Sequence, residues 1–454
     1  MKRFLLLVGF MLPFNLQARV YENLDLNEAI KLVKRQNIEI SIANLNEQIK
    51  MQELKYAKSK HFGKLDFTQN FMRSNDGGNV FGFALSNREA SFRNFGFASF
   101  LQNQQNPNLL DIEPEDLNYP KTRNYHQSKF KFTLPIYTGG KITNYKKIQA
   151  SMLKIASLEK SQITKEKIRQ TKKSFADIIL IESFLKNLKI IASNINKLEN
   201  MTKNMLKEGY AKKIDVLEIK AKKADILRMI NQSLENKKLS LEFLSFLLNG
   251  EVRSINTKSN YIPKARPIKK TDVENISDFK KAKEALKLSE AGLKMSKANF
   301  LPNVGFMAEY GSSDEKFLKH FKKHDAYGIG IGLEWNLFNG GGDVYNYEKA
   351  KIANLKAREQ IALAKSDLWL KISKLNTQIK KLDFDILSMD AELDLARDIY
   401  KNYLGRYKES LVSINDVLIK QSKEIELVLK LKELQNKKYD KIFALKALIE
   451  GDDE

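Results

Sequence analysis

Glu208-Gly209-Tyr210-Ala211-Lys212-Lys213-Ile214-Asp215-Val216-Leu217 has a counterpart in Glu409-Ser410-Leu411-Val412-Ser413-Ile414-Asn415-Asp416-Val417-Leu418. Glu409 follows Glu208 by 201 positions. Upstream, Ile136-Tyr137-Thr138-Gly139-Gly140 returns as Leu337-Phe338-Asn339-Gly340-Gly341, and Leu337 again follows Ile136 by 201. An internal repeat outranks any local reading of the chain. Two matches at one spacing mean that no net insertion separates these points in either half, as a rigid helix of fixed length requires. Farther upstream, Phe62-Gly63-Lys64-Leu65-Asp66-Phe67 aligns with Phe300-Leu301-Pro302-Asn303-Val304-Gly305, 238 positions on, and Asn37-Ile38 with Asn275-Ile276 at the same spacing. The first half therefore holds 37 extra residues between positions 68 and 135, in a loop from about Ser74 to Thr122.

Each half reads helix, strand, loop, strand, long helix, turn, helix. The first repeat spans residues 19–255, with strands at about 65–73 and 125–137, a long helix 141–208, a turn 209–214 and a return helix. The second spans 256–454, with strands at about 303–310 and 327–338, a long helix 343–409, a turn 410–415 and its own return helix.

The long helices rest on two signals. No proline or glycine occurs from Lys141 to Glu208, enough chain for a helix of roughly 100 Å at 1.5 Å per residue. Phe184, Leu188, Ile191, Ile195, Leu198 and Met205 keep a 4-3 spacing, and so do Ile372, Leu375, Ile379, Leu382, Ile386, Met389, Leu393 and Ala396. Sustained 4-3 spacing marks coiled-coil packing.

The strands alternate apolar and polar residues. Leu65, Phe67 and Phe71 oppose Asp66, Thr68 and Asn70; Phe130, Phe132, Leu134 and Ile136 oppose Lys129, Lys131 and Thr133. Val304, Phe306, Ala308 and Tyr310 oppose Asn303, Gly305 and Glu309. Tyr327, Ile329, Ile331, Leu333, Trp335 and Leu337 oppose Gly328, Gly330, Gly332, Glu334 and Asn336. A soluble sheet needs something apolar to cover such faces, and the helices use their apolar stripes on one another. A lipid-facing wall fits better. Four strands fall short of the roughly eight that close a barrel, and open edges are not viable in lipid. Several copies must therefore share one barrel; two give eight strands and three give twelve, and the count alone does not decide.

The composition agrees with an exported protein. Lys2 and Arg3 precede an apolar stretch from Phe4 to Leu16, with Ala18 at a cleavage-like position: residues 1–18 have the layout of a signal peptide. No later stretch of about 18 apolar residues offers a transmembrane helix. The chain has no cysteine, which excludes disulfides and an N-terminal lipid on cysteine. Its formal charge of +23 raises nucleic acid or an acidic surface as partners, but the lysines are spread along the whole length, and no nucleic-acid partner is expected.

The ordered motifs resemble the TolC family of outer-membrane efflux and secretion ducts. They run from Leu24-Asp25-Leu26-Asn27-Glu28-Ala29 and Asn37-Ile38-Glu39-Ile40, through Leu134-Pro135-Ile136-Tyr137-Thr138-Gly139-Gly140, to Ala298-Asn299-Phe300-Leu301-Pro302-Asn303-Val304 and Trp335-Asn336-Leu337-Phe338-Asn339-Gly340-Gly341, with the doubled turn. The resemblance implies an α+β, mostly α membrane protein with an internal two-fold repeat. It implies a homotrimer sharing a 12-stranded transmembrane barrel in outer-membrane lipid and a long periplasmic helical barrel. Its partners would be a periplasmic adaptor and an inner-membrane transporter, and its function that of a passive exit duct for small molecules or proteins. Such a duct is not an enzyme and uses no cofactor. The alternative is a periplasmic coiled-coil structural or adaptor protein that never enters the membrane. Three departures stand out: Ser410 in place of a turn glycine, Gly63-Lys64 in place of Leu-Pro, and no Leu-x-Leu-x-Glu-Ala start in the second half.

The candidate site is the pair of turns, read as adaptor-docking tip and pore constriction: Gly209, Asp215, Tyr407, Ser410 and Asp416. Gly209 can supply a left-handed helix end. Asp215 and Asp416 fall in the first turn of the return helices, where a carboxylate is favoured. They serve either as caps alone or also as a ring that favours cations in an oligomer. A second ring one helical turn on is doubtful, because Glu218 and Ile419 stand there. Arg406 and Tyr407 are candidate partners of these carboxylates or ordinary surface residues. Phe81, Phe83, Phe92, Phe95, Phe97 and Phe100 in the long loop are expected to pack at the barrel mouth. His320 and His324, four apart, could share a metal if helical, but with no His-Glu-x-x-His pattern and no cysteine an exposed loop without metal is expected. Gly139-Gly140-Lys141-Ile142 is not a phosphate loop, since Ile142 replaces the required Ser or Thr. No nucleophile–base constellation is visible.

Overall fold

The computed structural model describes residues 19–257 and 270–449. The signal-peptide expectation falls on residues 1–18, outside the described residues. In chain order the elements are β1 (Val20–Tyr21), α1 (Leu26–Gln36), α2 (Ile38–Ser59), β2 (Lys64–Ser74), α3 (Gly77–Ser86), α4 (Phe97–Gln102), α5 (Glu115–Asn118), β3 (Arg123–Tyr137), α6 (Lys141–Lys207), α7 (Lys213–Leu248), β4 (Glu251–Val252), α8 (Ser277–Lys297), β5 (Asn303–Asp314), β6 (Asp325–Glu334), α9 (Gly342–Lys408) and α10 (Ile414–Ile449). The repeat is visible in the lengths: α6 and α9 have 67 residues each, α7 and α10 have 36 each. No described helix is long and apolar enough to cross a membrane.

The chain divides into two compact units, one of Met1–Gln48, Lys154–Lys283 and Glu359–Glu454, the other of Ile49–Leu153 and Glu284–Arg358. The second unit holds a four-stranded antiparallel sheet in the order β2-β3-β5-β6. Directly paired residues share a face, and the register gathers every apolar set onto one. Phe67, Phe130, Tyr310 and Tyr327 form one cross-strand row; Leu65, Phe132, Ala308 and Ile329 form the next; Leu134, Phe306 and Ile331 a third. Phe67 and Phe130 lie with ring centroids 4.9 Å apart. The opposite face is charged: Glu309 takes Lys129 at 3.1 Å and Lys131 at 3.4 Å. Tyr327, Ile329, Ile331 and Leu333 are between 65% and 80% exposed, so none of the described residues covers the apolar face at β6.

Two expectations about the sheet change. The fourth strand ends at Glu334, not near 338, because β5 begins at Asn303 and leaves Trp335 no partner; Pro302 just before it lacks the N–H a ladder needs. Trp335 instead donates its indole N–H to the Phe300 carbonyl at 3.2 Å. The pairing of β3 with β5 skips Ile136, so Tyr137 opposes Val304 through a bulge. The long connection from β2 to β3 is not a plain loop either, since it contains α3, α4 and α5. Within it Phe83 is buried and stacks on Tyr125 at 4.4 Å, and Phe81 meets Phe95 edge-on at 5.1 Å.

In the first unit each half builds a matching core. Leu26, Ala29 and Val33 of α1 pack with Phe175 and Ile178 of α6 and Leu244, Leu247 and Leu248 of α7. In the second half Val273, Ile276 and Phe279 take the place of α1, against Leu368, Ile372, Leu375 and Ile379 of α9 and Ile442 and Leu445 of α10. A 3-10 turn, Lys270–Asn275, stands where the missing helix-start motif left a gap. Asn37 sits at the α1–α2 junction, its Oδ1 accepting from the Ile40 N–H at 3.1 Å and its Nδ2 donating to the Leu247 carbonyl at 2.9 Å. A feature the sequence did not announce is the parallel pairing of β1 with β4, Val20 against Glu251 and Tyr21 against Val252.

Each long helix ends in a left-handed residue: Gly209 at φ 81° and Ser410 at φ 57°. Gly63, the departure at the first helix-to-strand junction, has φ 76°, and a Cβ there would run into the Thr133 carbonyl oxygen. Gly63→Ala combines an unfavourable φ with a backbone collision. It should destabilise the detergent-solubilised protein by about 1–3 kcal/mol, read as a lowered denaturant midpoint; an unchanged midpoint would show that the junction relaxes freely. A left-handed residue with a Cβ costs about 1–2 kcal/mol. Ser410→Gly should therefore raise the midpoint and Gly209→Ala lower it by a comparable amount, the latter with no clash since nothing lies within 4 Å of that Cβ.

Candidate functional site

The 4-3 stripes converge on the turns, where four helices from both halves share one core. Ile191, Ile195 and Leu198 of α6, Ile219 and Ile226 of α7, Tyr400 and Tyr407 of α9, and Ile414, Val417, Leu418 and Ile425 of α10 are buried together. Apolar side chains at heptad spacing bury one another here, which fixes both turns to the same packed end.

Each return helix starts with an aspartate that accepts from the N–H three residues before it. The Lys212 N–H donates to Asp215 Oδ2 at 2.7 Å. In the second turn the Ser413 N–H donates to Asp416 Oδ2 at 3.1 Å, the Ser413 hydroxyl donates to the same oxygen at 2.6 Å, and the Asp416 N–H donates to Ser413 Oγ at 3.2 Å. This is a reciprocal capping box with aspartate in the role of glutamate. Ser413 holds the Asp416 carboxyl below the usual aspartate value, first through its hydroxyl and then through its N–H. A depressed folded value means that the cap is in place at neutral pH and is lost as pH falls through the lowered value. Both carboxylates are half-buried.

Tyr407 is neither a surface residue nor hydrogen-bonded to a tip carboxylate. Its hydroxyl meets Thr202 Oγ1 at 3.1 Å inside the shared core. Burial raises its pKa, and the charge of Asp215 adds to the rise. Arg406 instead lies over the Tyr403 ring at 5.9 Å. Sequence reasoning missed three polar locks near the turns. Thr202 is one; Tyr400, whose hydroxyl accepts from Gln421 Nε2 at 3.2 Å, is the second, its pKa pushed up to about 12 by burial. The third is buried Glu199, paired with Lys203 at 2.6 Å and Lys223 at 3.1 Å. A signal existed: Thr202 falls between Leu198 and Met205 in the 4-3 stripe, and Tyr400 and Tyr407 continue the stripe beyond Ala396. A polar group at such a position fixes register.

The turns also leave apolar side chains uncovered. Tyr210 is 74% and Leu411 61% exposed, with Ile214, Leu217 and Ile419 exposed beside them. His320 and His324 are not in a simple exposed loop, because His324 is 3% exposed.

Residues 273–446 match the family described as outer membrane efflux protein. No individually curated protein matches in sequence. Among solved structures, CusC, whose crystal structures concern folding and transmembrane channel formation, superposes with a TM-score of 0.79 at 11% identity, covering 94% of this chain and 92% of its own. The outer membrane protein VceC of Vibrio cholerae gives 0.75 at 15% identity, covering 94% and 96%. The Campylobacter jejuni CmeC outer membrane channel gives 0.73 at 14% identity, covering 93% and 85%. Residues 273–446 thus match the outer membrane efflux protein family, in a chain that shares the fold of these structures over more than nine-tenths of its length.

Proposed function

We propose that the chain is the outer-membrane exit duct of a tripartite efflux pump or type I secretion system, a passive conduit whose cargo crosses it unmodified. One observation carries this reading: a sheet with two edges, β2 and β6, unpaired among the described residues, and one face with three apolar cross-strand rows that lies exposed at β6. In water that face is a liability; in lipid it is what a barrel wall needs. The edges must pair, because unsatisfied backbone groups do not survive in hydrocarbon. Three copies would close a 12-stranded barrel and bring twelve long helices around a periplasmic tunnel. The periplasmic coiled-coil alternative leaves the apolar face without a role.

The exposed Tyr210, Ile214, Leu217 and Leu411 suit the helical tip to docking by a periplasmic adaptor that links the duct to an inner-membrane transporter. The cap carboxylates Asp215 and Asp416, six in a trimer, would stand where the pore narrows, and a ring of negative charge there favours cations.

Purified in detergent, the protein should run unheated as a species of three chain masses that collapses to one on boiling. Ile331→Lys, placing a charge on the lipid face at a cost of about 2–4 kcal/mol, should deplete that species from the outer membrane, while Gly330→Ser on the opposite face should not. A soluble monomer would reject the duct. In planar bilayers, Asp215→Ala with Asp416→Ala should reduce cation selectivity; unaltered selectivity would leave these carboxylates as helix caps only.

A further inference from the structure

At the end of the sheet away from the strand-to-helix junctions, two connections meet. β5 closes on Asp314, and the chain reaches β6 through a turn in which the His324 N–H donates to the His320 carbonyl at 3.0 Å. That single helical turn realises the i, i+4 spacing and sets the two imidazoles 5.2 Å apart. Asp314, 5% exposed, organises the turn. Its Oδ2 accepts from the His320 N–H at 2.9 Å and lies 2.9 Å from His320 Nδ1, and its Oδ1 accepts from the Lys316 N–H at 3.3 Å. From the β2–β3 connection, Glu89 pairs one carboxylate oxygen with Arg123 and turns the other towards His324 Nε2, 3.8 Å away.

The independent observation is His324 itself. Its Nδ1 is buried, has no hydrogen-bond partner, and points at Asp314 Oδ2 from 3.5 Å. A buried polar atom without a partner calls for an explanation, and an absent ion is one of the few available. One ligand atom from each of Glu89, Asp314, His320 and His324 lies within 4.8 Å of all the others. A tetrahedral ion with bonds of about 2.1 Å has ligand–ligand edges of about 3.4 Å, and the two contacts of Asp314 Oδ2, 2.9 Å to His320 Nδ1 and 3.5 Å to His324 Nδ1, straddle that value.

We propose that Glu89, Asp314, His320 and His324 form a binding site for a divalent transition metal of the zinc class, which staples the β5–β6 connection to the β2–β3 connection. Two imidazoles and two carboxylates suit a borderline cation; calcium and magnesium favour oxygen alone, and copper(I) favours thiolate or thioether. With four protein ligands no coordination position is left for substrate, so the role is structural. The Lys316 and His320 amides and Arg123 hold the carboxylates as outer partners, as metal sites require. The inference does not depend on the duct reading.

The test uses the full, tag-free chain in detergent, stripped with chelator and titrated with Zn2+ by calorimetry and with Co2+ by visible absorption. One Zn2+ per chain and the intense bands of four-coordinate Co2+ are expected. His320→Ala and His324→Ala should each weaken Zn2+ binding at least about 10-fold, and His61→Ala and His126→Ala should leave it unchanged. Because His324 is buried, Glu89→Gln, at a side chain 33% exposed, supplies a variant that tests the site without emptying the core; it too should weaken binding, with an unchanged circular dichroism spectrum. No stoichiometric binding by the unsubstituted chain, a six-coordinate cobalt spectrum, or binding indifferent to all three substitutions would overturn the proposal.

Discussion

A strand that faces hydrocarbon has nowhere to send an unmade backbone hydrogen bond, and the proposed barrel wall draws on the four strands of one sheet. The register from β2 to β6 is therefore not free. A slip of one residue would carry the aromatic rows to the charged face and bring Glu309, Lys129 and Lys131 into the apolar one. The ladder from Phe67 through Phe130 and Tyr310 to Tyr327 and the ion pairs around Glu309 are two sides of one constraint. Among the described residues both edges are unpaired, and the proposed duct requires the two halves of the chain to keep step.

Equal lengths accomplish that. The paired 67-residue and 36-residue helices bring two halves of unlike sequence to turns of like construction. There they stop sharing only a pattern and share a core, with residues of α6, α7, α9 and α10 buried together. Ile178 and Ile379, and Leu244 and Leu445, hold corresponding places in the paired upper cores. The halves are not identical at the turns. Gly209 takes a left-handed conformation without strain, whereas Ser410 takes it with a Cβ; the second turn has a complete capping box and the first has half of one.

Much of this was legible in the sequence, because periodicity reports burial directly. The 4-3 stripes of α6 and α9 and the alternation of Tyr327 to Leu333 are written in side chains whose environment they describe. What stayed hidden depends on partners far away in the chain. The skip at Ile136 is decided by β5, and the end of β6 by the proline before β5. The partner of Tyr407 is Thr202, 205 residues away. The burial of His324 depends on a second connection folding over it, which no local pattern announces. Of the tip, the carboxylates were readable from their place in a first helical turn; the buried hydroxyl locks were not, because a threonine in an apolar stripe looks like a lapse until its partner is seen.

The parallel pairing of β1 with β4 sets an order of events. Val20 cannot find Glu251 until more than two hundred intervening residues have been made, and contacts so remote in the chain close late. Synthesis delivers the amino-terminal segment first, so Tyr21 and Leu24 must wait, unpaired and apolar, for α7 to be finished. The protein thus has a built-in interval of vulnerability during its birth, and the shortness of β1, two residues, limits how much adhesive edge is on offer while it lasts.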